Sequence, residues 1–277
     1  MGTMQYGTYT WFGYDLPFAE ELRLIRDAGF DSVCTWWGDL GPIRREDQLA
    51  LVERAGLRLE HAHLPYFGCN AIWFDGADGD ALIAQHIEGA HIAASCGPKT
   101  LVVHPYDGVV PPAGNLHAAQ RRLQRLADAC ASLSVRLAVE NLGDNVALRG
   151  LLDALIDNPF VGLCFDTGHA NYTAHNDFSL LQEYGDRLFA LHLHDNNTVK
   201  DQHLLPFEGN LDWAQFYRLL KQTGFGGSLM LEACFPIDYT AAHDNPAYVF
   251  PDPEEPAPSF LRRAHRALKR VETGTPL

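Results

Sequence analysis

Basic residues are scarce in this chain of 277: 21 Lys plus Arg stand against 35 Asp plus Glu, a formal charge of −14 at pH 7 with His neutral. Each phosphate contact needs a cation, so this balance argues against nucleic acid and against an anionic membrane surface as partners. Also lacking is any run near the roughly 18 consecutive apolar residues of a membrane span, and residues 1–14 do not show the basic-then-apolar order of a secretory signal. A soluble cytoplasmic protein is the expectation. Cys34, Cys69, Cys96, Cys130, Cys164 and Cys234 include no C-x-x-C spacing. They read as scattered reduced thiols, which excludes a zinc ribbon and a disulfide framework. A Gly-rich phosphate turn is missing too. The first strand-like run is followed by Phe12-Gly13-Tyr14-Asp15, which counts against an open, doubly wound dinucleotide-binding sheet.

What is present suits a globular core: 47% of residues are hydrophobic and only 20% charged, which excludes intrinsic disorder. Short β-branched or aromatic runs at 6–11, 32–37, 58–63, 100–104, 136–140, 162–166, 188–194 and 228–232 alternate with amphipathic stretches at 17–28, 45–55, 80–96, 116–133, 146–157, 178–184, 211–223 and 259–271. Several of the latter end at a helix stop, as in Ala28-Gly29, Ala55-Gly56, Cys96-Gly97-Pro98 and Thr223-Gly224. Strict strand-helix alternation implies a parallel sheet, and eight such units in a chain of this length match one α/β domain, a (β/α)8 TIM barrel over residues 1–277. A Pro-rich acidic loop at about 245–258, carrying Pro246, Pro251, Pro253, Pro256 and Pro258, is expected to be non-helical and to cross the rim before the last helix. It reads as a surface loop, with substrate covering by Tyr248 and Phe250 as the alternative.

A barrel of this kind works at the C-terminal ends of its strands, and there the polar residues gather. Strands three to eight end in His63, His104, Glu140, Asp166, His192 and Glu232. One such residue is as readily a helix cap or a solvated terminus. Six converging ends are not, because buried unpaired carboxylates cost several kcal/mol and a divalent cation is the simplest partner for Glu140, Asp166 and Glu232 together. With His192 these give three oxygens and one imidazole, a set open to Zn²⁺, Mn²⁺, Co²⁺ or Mg²⁺. His63 and His104 are placed for a second ion, and His169, Asp201 and His203 for a third, imidazole-rich site. The alternative for these outer residues is to bind substrate hydroxyls or to orient the ligands. His61, His86, His91, His117 and His265 are expected to be structural or surface histidines.

The motifs His63-Leu64-Pro65-Tyr66, Val103-His104-Pro105, Val139-Glu140-Asn141, Phe165-Asp166-Thr167-Gly168-His169-Ala170, Leu191-His192-Leu193-His194-Asp195 and Leu231-Glu232 together resemble the xylose isomerase-like TIM-barrel superfamily, over nearly the whole chain. That superfamily includes endonuclease IV, the ketose 3-epimerases and many sugar phosphate isomerase/epimerases. Resemblance to endonuclease IV implies a trinuclear zinc centre on His63, His104, Glu140, Asp166, His169, His192, Asp201, His203 and Glu232. Resemblance to the epimerases implies one metal on Glu140, Asp166, His192 and Glu232, with the two glutamates as acid and base and His169 orienting a substrate oxygen. The family thus implies from one to about three divalent ions per chain. One departure concerns the substrate: the epimerases place an Arg about six residues beyond the position of His192, where this chain has Thr198.

The loops weigh between these branches. Arg44, Arg45 and Lys200 are nearly the whole of their positive charge, against Asp15, Asp39, Asp75, Asp107, Asp144, Asp177, Asp195, Glu208, Asp238 and Asp244. Such a face repels duplex DNA and suits a neutral sugar better than a sugar phosphate. Trp11, Phe12, Tyr14, Trp36, Trp37, Tyr66, Phe67, Trp73 and Phe74 crowd the first three strand ends. Trp11, Trp37, Tyr66 and Trp73 are expected to stack on substrate, with packing between barrel and helices as the alternative. The sequence therefore favours a metal-dependent isomerase or epimerase of a sugar, sugar phosphate or cyclitol acting through an enediolate. Abasic-site phosphodiester cleavage, dehydration of a keto-sugar or inosose, and non-catalytic metal-stabilised binding remain as alternatives. Homo-oligomerisation is left open.

Overall fold

The computed structural model describes residues 4–235 and 253–273. Strands β1 (Tyr6–Tyr9), β2 (Ser32–Trp36), β3 (Arg58–His63), β4 (Thr100–Val103), β5 (Arg136–Glu140), β6 (Val161–Asp166), β7 (Leu188–His192) and β8 (Leu229–Leu231) pair in parallel in the order β7-β6-β5-β4-β3-β2-β1-β8. A bridge from Leu193 to Leu231 closes the ring, with Leu193 N–H donating to the Met230 carbonyl at 2.8 Å and Glu232 N–H to the Leu193 carbonyl at 2.9 Å. The fold is a single-domain (β/α)8 barrel. No helix among the described residues is long and apolar enough to cross a membrane.

Side chains alternate across a strand, and this period of two sorts each strand into an outer and an inner face. Leu101, Val103, Leu137, Val139, Leu163, Phe165, Leu191 and Leu193 join the large core between barrel and helices, whereas Val102, Ala138, Cys164 and Ala190 form a separate small cluster. Two residues beyond each member of that second cluster, on the same face, come His104, Glu140, Asp166 and His192. Small residues thus fill the barrel floor and polar ones cap it.

The helices α1 (Phe18–Asp27), α2 (Gln48–Arg54), α3 (Ala77–Cys96), α4 (Leu116–Ser132), α5 (Asn145–Ala154), α6 (Thr167–Ala174), α7 (Ser179–Tyr184), α8 (Trp213–Thr223) and α9 (Ala257–Val271) pack outside or over the barrel ends. Asn115, Asp144 and Asp212 cap α4, α5 and α8 through side-chain oxygens, leaving fewer amide N–H groups orphaned. The 3₁₀ turn at Cys69–Trp73 and the short α6 escape the sequence patterns, the first because it is too short for a helical period and the second because it opens on the polar run Asp166-Thr167-Gly168-His169 rather than on an apolar stripe.

Most of the Pro-rich segment at 245–258, with Tyr248 and Phe250, lies outside the described residues, as do Asp238 and Asp244. Its end corrects the expectation of a wholly non-helical stretch. Pro256 is the N-cap residue of α9 and Pro258 sits in its first turn, where a missing N–H forfeits no helical hydrogen bond.

Candidate functional site

Glu140, Asp166, His192 and Glu232 come together at the C-terminal mouth of the barrel, each offering a ligand atom within 4.8 Å of the others. His192 Nδ1 lies 3.2 Å from Glu140 Oε2 and 2.9 Å from Glu232 Oε2. Glu140, Asp166 and His192 are fully buried, whereas Glu232 keeps 19% of its side-chain surface exposed toward the mouth. Asp166 has two roles. One oxygen caps α6 by accepting from His169 N–H at 2.6 Å, and the other lies 3.0 Å from His194 Nε2.

The outer histidines are fixed in tautomer and orientation by their backbone partners. A carbonyl can only accept, so Nδ1 must carry the proton in His63 (to Leu64 O, 2.7 Å), His169 (to Asn141 O, 2.9 Å) and His203 (to Glu232 O, 2.8 Å). In each neutral ring the lone pair then sits on Nε2. These Nε2 atoms face carboxylates: Glu140 at 3.2 Å for His63, and Asp201 at 3.4 and 3.3 Å for His169 and His203. Lone pair against carboxylate is repulsive unless a proton or a cation lies between them. Imidazoles fixed through one nitrogen with the other aimed at clustered carboxylates fit a divalent cation, in the pattern of metal-ligating histidines.

Protons do the same work within the chain alone. Burial pushes the Glu140 carboxyl up, but His192 and His104 outweigh it and hold it well below the usual range. Burial likewise opposes ionisation of Glu232, and His192 overrides it, bringing that carboxyl to about 2. Burial would lower His169, yet Asp166 and Asp201 push it well above the ordinary imidazole range.

The remaining expected residues divide. His104 reaches Glu140 Oε2 at 3.4 Å, and Asp201 and His203 form a group with His194 beside the central four. Tyr66 stacks on His104 with ring centroids 4.7 Å apart, and Trp11 is half-buried at the end of β1. Trp37 and Trp73 do not face the site. Trp37 lies outside the barrel, its Nε1 donating to Gly89 O on α3 at 2.8 Å, and Trp73 Nε1 donates to Pro105 O at 2.7 Å. Strand parity explains the first correction. Trp36 shares its face with Cys34 and takes the place expected of Trp37, lying parallel to His63 at 6.3 Å.

Two histidines belong to the site beyond those expected. His61, placed in sequence among structural or surface histidines, is buried inside the barrel with Nε2 3.2 Å from His192 Nε2. His194 is buried between Asp166 and Asp201, stacked on His203 at 3.9 Å. Both were legible as His61-x-His63 and His192-x-His194, one face of one strand. Gly168 admits the His194 ring, which a Cβ there would overlap. Part of the expected acidity of the rim is structural. Asp195 is buried and accepts from the N–H groups of Asn196, Phe207 and Leu211 and from Trp213 Nε1.

Comparison with known proteins identifies the family to which this barrel belongs. Residues 22–253 match the model of the family described as xylose isomerase-like TIM barrel. The uncharacterized protein y4fM of Sinorhizobium fredii is 28% identical over 299 residues, covering 94% of this chain and 90% of that one. An inosose dehydratase of Clostridium botulinum is 27% identical over 132 residues, 40% of this chain and 44% of its own. A D-psicose 3-epimerase from Clostridium cellulolyticum, solved with D-tagatose, superposes with a TM-score of 0.78 over 98% of this chain and 99% of that one, at 15% identity. Strand order and the family match concur: the chain belongs to the xylose isomerase-like TIM-barrel family.

Proposed function

We propose that this protein is a divalent-metal-dependent isomerase or epimerase of a sugar or cyclitol, with Glu140 and Glu232 exchanging a substrate proton. The observation that carries this reading is the convergence of two glutamates, from β5 and from the end of β8, on one His192 nitrogen beside Asp166. Glu140, Asp166, His192 and Glu232 would hold the cation, which when bound draws electron density from a carbonyl and acidifies the neighbouring C–H. Glu232, open to the mouth, takes that proton. The resulting enediolate is reprotonated by Glu140, which enters the cycle carrying a proton passed from the imidazoles around it, His63, His104 and His192, and exchange of both glutamates with solvent resets the pair. His169 Nε2, with its ring fixed by Asn141 O, orients a substrate oxygen.

A second reading, dehydration of a keto-cyclitol, is favoured by the inosose dehydratase relatives. The same enediolate loses a β-hydroxyl as water there.

The test is elemental analysis of the purified protein, followed by incubation with ketoses, aldoses and inososes in D₂O. Deuterium incorporation at carbon with no change of composition supports isomerase or epimerase action, and loss of water moves the assignment to a dehydratase. Cleavage of an abasic-site duplex without exchange into any sugar would replace both with a phosphodiesterase.

A further inference from the structure

Two irregularities of the sheet converge on one pair of side chains. Among the described ladders the register shifts between Val33 and Cys34, where β2 meets β3, and between Leu163 and Cys164, where β6 meets β7. In β3 the partner of Cys34 is His61 rather than Glu60, and in β7 the partner of Cys164 is Ala190 rather than Phe189. Each shift is a one-residue bulge. Leu59 and Ala62 both join the core outside the barrel with two residues between them, and so do Leu188 and Leu191. Strict alternation allows one. The bulges turn His61 inward and, two residues beyond Ala190, His192 as well; without them both histidines would point at the helices. A histidine that only filled the outer core would need no such device.

Inside the barrel the two buried rings meet nitrogen to nitrogen. Their Nε2 atoms are 3.2 Å apart, with ring centroids at 5.3 Å and planes 29° from parallel. One proton joins them. His61 Nδ1 has no hydrogen-bond partner among the described residues, so this bond is the polar contact for which the ring is brought inward. Cys34 completes the buried group, but a thiol is a weak acceptor, and its own S–H is directed to Thr35 O at 3.9 Å. The far nitrogen of His192, Nδ1, lies between Glu140 and Glu232, at 3.2 and 2.9 Å. To hold a cation there it must offer a lone pair, which leaves the ring proton on Nε2 and requires His61 Nε2 to accept it. Were His61 the donor, a neutral His192 would carry its proton on Nδ1, where it blocks the cation.

We propose that His61 is a positioning residue: by accepting the Nε2 proton of His192 it holds that ring in the orientation and tautomer that turn the Nδ1 lone pair toward Glu140 and Glu232. This deepens the isomerase or epimerase reading and rests on its divalent cation. The neutral imidazole takes the place of the carboxylate or backbone carbonyl that stands behind many ligating histidines.

The experiment uses the full chain and two variants. In H61Q the amide oxygen can still accept from Nε2–H, and H61L fills the space and accepts nothing. Nitrogen NMR of the zinc-loaded, histidine-labelled chain locates the shared proton, and the His192 resonances, followed under competition with a chelator, give the affinity of the ion at this ring. We expect the proton on His192 Nε2, with scalar coupling to His61 Nε2 across the hydrogen bond. H61L should bind zinc about 10- to 100-fold more weakly, with most of that loss recovered in H61Q. Parent affinity in H61L, with only the Tm of the metal-free chain lowered, gives His61 a packing role and overturns the proposal. A proton on His61 Nε2 in the zinc-loaded chain overturns it too, and that measurement needs no variant to fold. Affinity lost in H61L and restored in H61Q, without deuterium exchange into any sugar by the Zn²⁺-, Mn²⁺- or Co²⁺-loaded chain, supports His61 and overturns the isomerase or epimerase reading. A parent chain that binds none of these ions overturns both.

Discussion

At Glu140 and Glu232 the chain sets two carboxyl groups on either side of one imidazole, and each can be exchanged for its amide with little change of shape. E140Q and E232Q are each expected to lower deuterium exchange by about 10²- to 10⁴-fold. Circular dichroism of both variants should match the parent, and retention of exchange in either one would remove that residue from proton transfer. A different carboxyl controls part of the stability. Glu21, buried in the first turns of α1, is pushed up to about 8 by burial and by Asp15. Its folded-state value exceeds the unfolded one near 4.5, so its stabilising share is complete below about pH 4.5 and is lost as pH rises through about 8. E21Q should therefore flatten the decline of stability across that window and gain on the order of 1 to 3 kcal/mol at its alkaline end. Urea denaturation at pH 5 and pH 8.5 checks this, and an unchanged pH slope would count against it.

At the scale of the element, the period of two along each strand decides which residues serve the core and which the site. Trp36 and Trp37 are adjacent in sequence and opposite in role: one lies over His63, the other is buried against α3. W37A is expected to cost about 3–5 kcal/mol of stability, the range for truncating a buried aromatic. W36A should cost far less and change substrate binding instead. Thermal unfolding of the pair, with KM for whichever sugar proves active, separates the two effects. The elements themselves were legible to within a few residues, because hydrophobic period and helix stops are local signals. The 3₁₀ turn at Cys69–Trp73 and the short α6 were not, since the first is too short to carry a period and α6 opens on a polar run started by Asp166, a residue that the site also uses.

For the whole molecule, closing the sheet gathers carboxylates and imidazoles from six strand ends into one mouth. A cation bound there would stabilise the folded state, because the unfolded chain scatters its ligands. At a hundredfold excess over Kd the gain is about 2.7 kcal/mol, which corresponds to a Tm change of roughly 5 °C for a domain of this size. Removing metal with a chelator should lower Tm by about that amount and abolish exchange, and adding back Mn²⁺, Co²⁺ or Zn²⁺ should restore both. A Tm indifferent to chelation and add-back would argue against a resident metal.

By itself the sequence determined the barrel, through eight alternations of strand and helix, and it marked the four residues that meet at its mouth, since Glu140, Asp166, His192 and Glu232 each close an apolar run. Both are local patterns, legible one element at a time. Only the tertiary structure decided that Trp37 and Trp73 serve the core, that His61 and His194 reach into the site, and that Asp195 is consumed by four N–H groups. The reason is physical. Which face a side chain takes, and which distant backbone group satisfies it, depend on the register between strands and on the loops that close over them.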